Sequence, residues 1–236
     1  MLSFIVPAYN EEAELPTTLR LLRAAADASA EDYEIIVVDD ASTDRTADVA
    51  SAAGARVIAV KHRQIAAVRN AGARAARGDI LFFVDADTHI TPRNVTEALR
   101  ALRSGYVGGS ARVALDAQVP RWARLLVGLF CAIYFASNLG VGAFLFMRRE
   151  HFDAAGGFDE QYFAGEEVYL TLALRKLGRF IILPDPITTS ARKVRMHSPA
   201  FVLRQWFAVA LGGKRTLRRR DRLALWYDGK RERSAA

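Results

Sequence analysis

Short apolar runs alternate with helix-like segments through the first 105 residues of this 236-residue chain, and no other feature constrains its fold as much. The runs at residues 2–6, 34–38, 56–60 and 80–84 have the length and continuous apolar character of buried strands. Between them, residues with helical periodicity or helix-capping signals indicate connecting helices. Strands that alternate with helices predict an α/β fold, with a mostly parallel sheet covered by helices on both faces.

Signals that begin or end helices lie between the predicted strands. Asn10 is an acceptable N-cap for a helix that carries Leu15, Leu19 and Leu22, and Thr91 followed by a proline starts a later helix. The four helices are predicted to begin after Asn10, after Asp44, at Ile65 and after Thr91, and the last three to end at Gly54, Gly78 and Gly105.

Composition excludes several classes of protein. With 51% hydrophobic and 25% charged residues the chain is too apolar for intrinsic disorder, and no repeat period indicates a solenoid or propeller. Cys131 is the single cysteine, so the chain has neither an intrachain disulfide nor a cysteine zinc site, as is usual in a reducing compartment. The first residues lack the basic region and apolar core of a secretory signal. We therefore expect one globular unit in the cytoplasm.

Polar residues directly follow three of the predicted strands. They are residues 9–12 after the first strand, Asp39 and Asp40 after the second, and Asp85 and Asp87 after the fourth. Ligands of such sheets bind at the carboxyl ends of the strands. A D-x-D turn can aim two hard oxygen ligands at one point, which suits Mg²⁺ or Mn²⁺ bound to a diphosphate. Neither a P-loop nor a G-x-G-x-x-G motif occurs, which excludes P-loop kinases and dinucleotide-binding dehydrogenases.

Five motifs follow one another in a defined order. They are SFIVPAYNEE at residues 3–12, VVDDASTD at 37–44, RNAG at 69–72, FFVDAD at 82–87 and AGGFDE at 155–160, and GEEVYL follows at 165–170. Together they resemble the motifs of family-2 glycosyltransferases with the GT-A fold, over residues 2–195. The resemblance implies a single glycosyltransferase domain at 1–198, with a nucleotide-sugar part at 1–115 and an acceptor part at 116–198. A basic, helical C-terminal extension at 199–236 would follow it.

The resemblance also implies which residues bind the donor nucleotide. They are Pro7, Tyr9, Glu11, Asp40, Arg69 and Asp85. Tyr9 would lie against the base, Glu11 near the ribose, and Asp40 would accept a hydrogen bond from a base N–H while Asp39 shapes the loop. A carboxylate in that role selects uracil or guanine, so a UDP-sugar is favoured and a GDP-sugar is next. Packing of Tyr9 and a surface position for Arg69 are the structural alternatives.

A divalent metal, Mg²⁺ or Mn²⁺, is the cofactor that the resemblance implies. Asp87 would hold it against the diphosphate, and Asp85 would touch the ribose or the metal. His197 follows a basic run that begins at Arg192, and a histidine there can complete the metal site. A surface position is the alternative for this histidine.

Glu166 and Glu167 occupy the place where related proteins carry Glu-Asp. By resemblance, the second acid is the general base toward the acceptor hydroxyl, and transfer proceeds with inversion. Glu167 has one more methylene than the aspartate, so its backbone must be placed differently. The structural alternative is an acidic helix N-terminus stabilised by the helix dipole, with Leu170, Leu174 and Leu177 as its buried stripe.

Two segments of the second half indicate contact with a membrane. Residues 125–147 carry no charge, but the resemblance places 141–147 on a strand, which leaves 125–139, too short to span a bilayer comfortably. A helix over the acceptor side or in a membrane interface fits that length. The last 45 residues contain 13 Lys and Arg against 3 Asp and Glu, together with Trp206 and Phe207, which is typical of a peripheral membrane surface. Contact within a homo-oligomer and an ordinary core helix are the alternatives.

The predicted function is metal-dependent transfer of a sugar from a nucleotide-sugar to an acceptor hydroxyl, on a lipid-linked or cell-envelope acceptor at the inner face of the cell membrane. The alternative is a non-catalytic sugar-nucleotide-binding or membrane-scaffold protein of the same fold, which would gain little from Glu167. A nucleotidylyltransferase should have a Gly-rich basic loop after the first strand, where residues 9–12 are acidic. Nucleic-acid binding would explain the basic tail but not the acidic strand ends.

Overall fold

A computed structural model describes residues 1–115, 134–192, 196, 198, 201, 204–205 and 213–223. Predictions for residues 125–133, for His197 and for most of the C-terminal extension lie outside these residues. In chain order the elements are β1 (Leu2–Ala8), α1 (Leu15–Asp27), β2 (Tyr33–Asp40), α2 (Thr46–Ala52), β3 (Arg56–Val60), α3 (Ile65–Ala75), β4 (Ile80–Val84), β5 (Thr88–His89), α4 (Pro92–Arg103), β6 (Gly108–Leu115), β7 (Phe144–Arg148), α5 (Arg149–Ala154), α6 (Glu166–Leu177) and β8 (Phe180–Thr189), then a 3₁₀ turn at Arg220–Arg222.

The described strands form one sheet in the order β3-β2-β1-β4-β7-β6-β8-β5. Pairing is parallel from β3 to β4 and between β6 and β8, whereas β7 is antiparallel to both neighbours and β5 is antiparallel to β8. Leu2, Phe4 and Val6 of β1 pack with α1 and α4 on one face, and Ile5 packs with α3 and α6 on the other. The predicted α/β sheet with helices on both faces is confirmed.

This topology gathers distant parts of the chain at one edge of the sheet. The carboxyl ends of β1, β2, β4 and β8 meet there, because these four strands point the same way. The residues before β7 reach the same edge, because β7 runs in the opposite direction. Polar residues that follow or precede these strands therefore lie close together.

The β1–α1 loop departs from the prediction. The first strand was predicted over residues 2–6, but β1 continues through Pro7, which lies opposite Val38 and beyond the part of β1 that pairs with β4. A proline without its N–H is tolerated where a strand has lost a neighbour. Asn10 does not cap α1. A helix capped by Asn10 would begin at residue 11, whereas α1 begins at Leu15. The φ of Asn10 is 53°, and its Oδ1 accepts a hydrogen bond from the Thr43 N–H at 2.8 Å, which joins the β1–α1 and β2–α2 loops.

Other helices and strands can be compared with the features that the sequence predicted for them. Thr91 caps α4 through a reciprocal pair of bonds with Asn94, as its sequence indicates. The strand predicted from residue 141 begins at Phe144. Leu177 is 44% exposed, so the buried stripe of α6 is formed by Leu170 and Leu174 without it. In the part of the chain that the structure describes, no helix combines the length and apolar composition that crossing a bilayer requires.

Candidate functional site

A cavity of about 370 Å³ opens at the sheet edge where the strand ends meet. It brings together nine of the ten residues predicted for the site, and the tenth, His197, lies outside the described residues. The nine are Pro7, Tyr9, Glu11, Asp40, Arg69, Asp85, Asp87, Glu166 and Glu167. Residues from the first and the second half of the chain thus share one space.

One part of the cavity presents an aromatic ring beside a buried carboxylate. The guanidinium carbon of Arg63 lies 3.7 Å from the centroid of the Tyr9 ring, so the ring already stacks on a planar group. Asp40 Oδ1 accepts hydrogen bonds from the backbone N–H groups of His62 at 2.7 Å and of Arg63 at 2.9 Å. Asp39 accepts one from the Ser42 N–H at 3.2 Å and fixes the turn after β2. A planar heterocycle with an N–H donor matches these groups.

Arg69 on α3 joins carboxylates from two other elements. It is 2% exposed, and its Nη2 donates to Asp85 Oδ1 at 2.7 Å and to the Gly142 carbonyl at 2.9 Å, while its Nη1 donates to Glu166. A Cβ on Gly142 would lie 2.8 Å from Nη2, so only glycine leaves room there. Burial alone would lower the pKa of Arg69, but the charges of Asp85 and Glu166 outweigh it and raise the pKa. The surface position considered for Arg69 is wrong.

The two glutamates at the start of α6 have different surroundings. Glu166 is 3% exposed and paired with Arg69; burial raises its pKa, and the Arg69 charge opposes that rise. Glu167 is partly buried on the cavity wall. Burial raises the pKa of Glu167 to about 8, the Glu166 charge adds to the rise, and Arg69 opposes it. Glu166 is therefore held in place, while Glu167 can exchange a proton near neutral pH.

Arg192 also lines the cavity, although none of the sequence motifs predicted it. It lies just after β8, is 7% exposed, and its two terminal nitrogens donate to both oxygens of Glu11 at 2.6 Å each. Its Nη2 also lies 3.2 Å from Asp87 Oδ2. Burial would lower the pKa of Arg192, but Glu11 and Asp87 outweigh it and raise the pKa. Local sequence holds no signal for this contact, because Glu11 is 181 residues away.

Asp85 and Asp87 both line the cavity, and each binds a guanidinium group: Asp85 that of Arg69 and Asp87 that of Arg192. Among the described residues, no three His, Cys, Asp or Glu side chains are placed so that they could hold a metal ion together. Two carboxylates still fit Mg²⁺ or Mn²⁺, because such ions commonly bind through one or two carboxylates and complete their shell with water and substrate phosphates. The donor set therefore suits a metal that arrives with a diphosphate.

A family model described as Glycosyl transferase family 2 matches residues 3–156. An undecaprenyl-phosphate 4-deoxy-4-formamido-L-arabinose transferase of Pseudomonas paraeruginosa is 36% identical over 139 residues, which are 55% of this chain and 41% of that protein. The chain thus spans about two fifths of the length of this curated relative.

Two solved structures are similar in fold. Glucosyl-3-phosphoglycerate synthase from Mycobacterium tuberculosis, in complex with Mn²⁺, UDP and glucosyl-3-phosphoglycerate, has a TM-score of 0.60 and 22% identity, covering 90% of this chain and 79% of that one. A mannosyltransferase from Pyrobaculum calidifontis, in complex with GDP-Man and Mn²⁺, has a TM-score of 0.62 and 19% identity, covering 92% and 62%. With the family match, these likenesses lead to one conclusion: the chain belongs to glycosyl transferase family 2 and has the GT-A fold.

Proposed function

We propose that this protein is an enzyme that transfers a sugar from a nucleotide-sugar donor to an acceptor hydroxyl. One observation carries the proposal: a single cavity is lined by Tyr9, Asp40, the D-x-D aspartates and Glu167. A nucleotide base, a metal-bound diphosphate and a reacting hydroxyl need these groups in one space. The relative named as a transferase, and the solved structures with UDP or GDP-Man and Mn²⁺, support the same reaction.

The donor nucleotide is assigned to the residues at the ends of β1 and β2. The base stacks in the region of Tyr9 and Arg63, and the ribose lies near Glu11. Both backbone bonds to Asp40 end on Oδ1, so we assign Oδ2 to a base N–H. Uracil and guanine offer such an N–H, which favours UDP-sugars, with GDP-sugars next. Asp85 completes the donor set beside the ribose and diphosphate.

Asp40→Ala is expected to weaken UDP binding by about tenfold to a hundredfold, the usual effect of losing a hydrogen bond to a charged group. The loss should be the same with and without Mn²⁺, because the partner of Asp40 is the base. Cytosine lacks this N–H, so the variant should also lose the preference for UDP over CDP. Calorimetry with both nucleotides checks this, and an unchanged UDP-to-CDP ratio would refute the role of Asp40.

Mg²⁺ or Mn²⁺ is the proposed cofactor, held by Asp87 and Asp85. When bound, the ion supplies positive charge that stabilises the departing diphosphate. Arg192 pairs with Asp87 in the structure, so its guanidinium would compete with a metal ion for the same carboxylate. Nucleotide phosphates can offset this competition by binding the cation themselves.

Arg192→Gln is therefore expected to bind Mn²⁺ about tenfold more tightly than the unmodified protein when no nucleotide is present. A charge a few ångströms from the site disfavours cation binding, and the variant removes it. Electron paramagnetic resonance of free Mn²⁺ measures the affinity, and Arg45→Gln, at an exposed arginine outside the cavity, is the matched control. Equal or weaker Mn²⁺ binding by Arg192→Gln would show that the two cations do not compete.

Glu167 is the proposed general base. As the acceptor hydroxyl oxygen bonds to the anomeric carbon, the hydroxyl proton passes to Glu167. The bond from the anomeric carbon to the diphosphate breaks at the same time and releases a nucleoside diphosphate. A single displacement of this kind inverts the anomeric centre. Glu166 does not need to react: its buried pairing with Arg69 holds the start of α6 and thus the position of Glu167.

The pH dependence of kcat/KM tests this base directly. The proton acceptor must be ionised, and the pKa of Glu167 is raised to about 8. We expect kcat/KM to fall about tenfold per pH unit below 8 and to level off above it, since this parameter reports the ionisation of the free enzyme. A profile that is flat from pH 6 to 9 would contradict the assignment.

The stability of the folded protein should also depend on the ionisation of Glu167. It should fall over the pH range in which kcat/KM rises. Between pH 4.5 and 8 the native carboxyl keeps a proton that the unfolded chain has released, so stability falls as the pH rises through this window. Glu167→Gln cannot ionise and should lack this part of the fall. Thermal unfolding of both proteins from pH 5 to 9 provides a readout independent of turnover.

The acceptor is proposed to be lipid-linked, and the protein to act at the inner face of the membrane. Support comes from the relative, whose name includes undecaprenyl-phosphate, and from the basic C-terminal residues. The assay is transfer of labelled sugar from UDP-sugars to an extracted polyprenyl-lipid fraction in the presence of Mn²⁺. Tight UDP–Mn²⁺ binding without transfer to any lipid or sugar acceptor would favour the non-catalytic binding protein instead.

A further inference from the structure

Two motifs of the sequence, RNAG at 69–72 and AGGFDE at 155–160, contact each other in the structure. Asn70 Oδ1 accepts a hydrogen bond from the Phe158 N–H at 3.0 Å, and Asn70 Nδ2 donates to the Phe158 carbonyl at 2.9 Å. The same Nδ2 donates to Glu160 Oε1 at 2.9 Å. Asn70 is 8% exposed, and buried hydrogen bonds are stronger than those in water. One side chain of α3 therefore satisfies both backbone groups of Phe158.

Other contacts hold the loop between α5 and α6, residues 155–165, in the same place. Gln64, the residue before α3, donates through Nε2 to the backbone carbonyl of Glu160 and, at 3.3 Å, to that of Tyr162. Phe158 is 1% exposed, and its ring packs edge to face on an aromatic ring of β4. The α5–α6 loop is thus fixed to a helix and a strand from the first half of the chain.

Glu166 and Glu167 begin α6 directly after this loop. The N-cap of α6 is Gly165, at φ 73°, which has no side chain that could cap the helix. Arg69 fixes the side chain of Glu166, but the backbone at the start of α6 depends on the loop that precedes it. This backbone sets the direction in which the Glu167 carboxyl leaves the helix. The contacts of Asn70 therefore act on the placement of that carboxyl.

We propose that Asn70 is a positioning residue for Glu167, which acts through the α5–α6 loop. The inference rests on the proposed function and adds a residue outside the cavity, since Asn70 is not among the described residues that line it. A misplacement of about 1 Å between reacting groups can lower a rate by about a hundredfold. Loss of the Asn70 amide should therefore slow the chemical step and leave donor affinity unchanged.

The test is a double-mutant cycle between Asn70 and Glu167. It measures single-turnover transfer to extracted polyprenyl lipid, with Mn²⁺ and the UDP-sugar that the unmodified protein uses. Asn70→Ala should lower this rate by about tenfold to a hundredfold, while UDP–Mn²⁺ affinity measured by calorimetry stays the same. In the Glu167→Gln background the same substitution should have little further effect, because the base that it positions is already lost. A substitution that only loosened the fold would lower the rate in both backgrounds.

Asn94→Ala is the matched control. Asn94 is a fully buried asparagine of α4 outside the cavity lining; it donates to the Asp185 carbonyl at 3.1 Å and accepts from the Thr91 N–H at 2.8 Å. Its loss should lower the melting temperature and leave the rate unchanged. Glu160→Ala, at an exposed residue, removes one hydrogen bond of Asn70 and should give a smaller loss of rate than Asn70→Ala. Glu160→Gln keeps the acceptor oxygen and should restore the rate.

Several outcomes overturn the inference. Equal rate losses from Asn70→Ala in both backgrounds, or an equal loss from Asn94→Ala, would mean that Asn70 contributes only to stability. Weaker UDP–Mn²⁺ binding by Asn70→Ala would place its effect on the donor side, through Arg69. If Asn70→Ala does not fold, Glu160→Ala takes its place in the cycle, and an unchanged rate for that variant overturns the inference.

Failure of the inference and failure of the proposed function give different results. If the unmodified protein transfers sugar and Glu167→Gln is slow, but Asn70→Ala keeps the full rate, the proposed function stands and Asn70 has no part in it. If the unmodified protein transfers no sugar from any UDP-sugar, the proposed function fails and the inference fails with it. If Glu167→Gln keeps the full rate, the proposed base is wrong, and Asn70 has no base to position.

Discussion

Asp87→Ala is expected to abolish the Mn²⁺-dependent part of UDP binding and to lower sugar transfer by about a thousandfold or more. The substitution removes an oxygen ligand from an ion that would bridge protein and diphosphate. Metal stabilisation of the leaving group contributes several kcal/mol to such reactions, and each 1.36 kcal/mol is a factor of ten in rate. UDP binding without metal should change little, because Tyr9 and Asp40 remain in place.

Two control variants separate the loss of the Asp87 charge from any effect on folding. Asp87→Asn keeps the size of the side chain and one acceptor for Arg192, so it should fold like the unmodified protein and still lose the metal effect. Asp79→Ala removes an exposed aspartate whose one described ion pair, to the N-terminus, is long at 3.9 Å, and should behave as the parent. Calorimetric titrations of UDP with and without Mn²⁺ are the measurement. The same Mn²⁺-dependent gain in affinity for Asp87→Ala as for the parent would exclude this aspartate as a ligand.

Glu167→Gln is expected to lower kcat by about 10²–10⁴ while UDP affinity stays within about twofold, since a positioned general base contributes that much to the rate. The amide keeps the size of the side chain but cannot take the proton. Glu150→Gln, at an exposed glutamate on α5, is the matched control. Single-turnover rates with saturating UDP-sugar and acceptor measure the chemical step without product release.

The neighbouring glutamate should give a different result. Glu166→Gln leaves the buried Arg69 charge with one carboxylate instead of two, and breaking a buried ion pair typically costs about 3–5 kcal/mol of stability. We therefore expect a clear drop in melting temperature for Glu166→Gln and a small one for Glu167→Gln. Full turnover by Glu167→Gln would show that the attacking oxygen needs no base, as for a phosphate oxygen that is already ionised. Lost UDP binding in that variant would make the residue structural.

Much of the fold follows from local patterns. β3 and β4 have the predicted bounds because each is a short apolar run between polar or glycine residues. The start of α4 at Pro92 was predictable as well, because its N-cap bonds lie within four residues. Asn10 shows the limit of this reasoning. Its side chain is competent to cap a helix but binds the β2–α2 loop instead, and only the packing of two loops decides between these partners.

The candidate site also has one part that follows from the sequence and another that only the tertiary structure decides. The sequence alone determined which residues stand at the ends of parallel strands, because strand length and polarity are local properties, and parallel strands carry their ends to one edge. The tertiary structure decided which charges meet there. Arg69 and Glu166 are 97 residues apart, and Arg192 and Glu11 are 181 apart. Such pairs depend on the order of strands and on the few ångströms between facing groups. No local preference of the chain encodes those distances, so these contacts exist only once the sheet has formed.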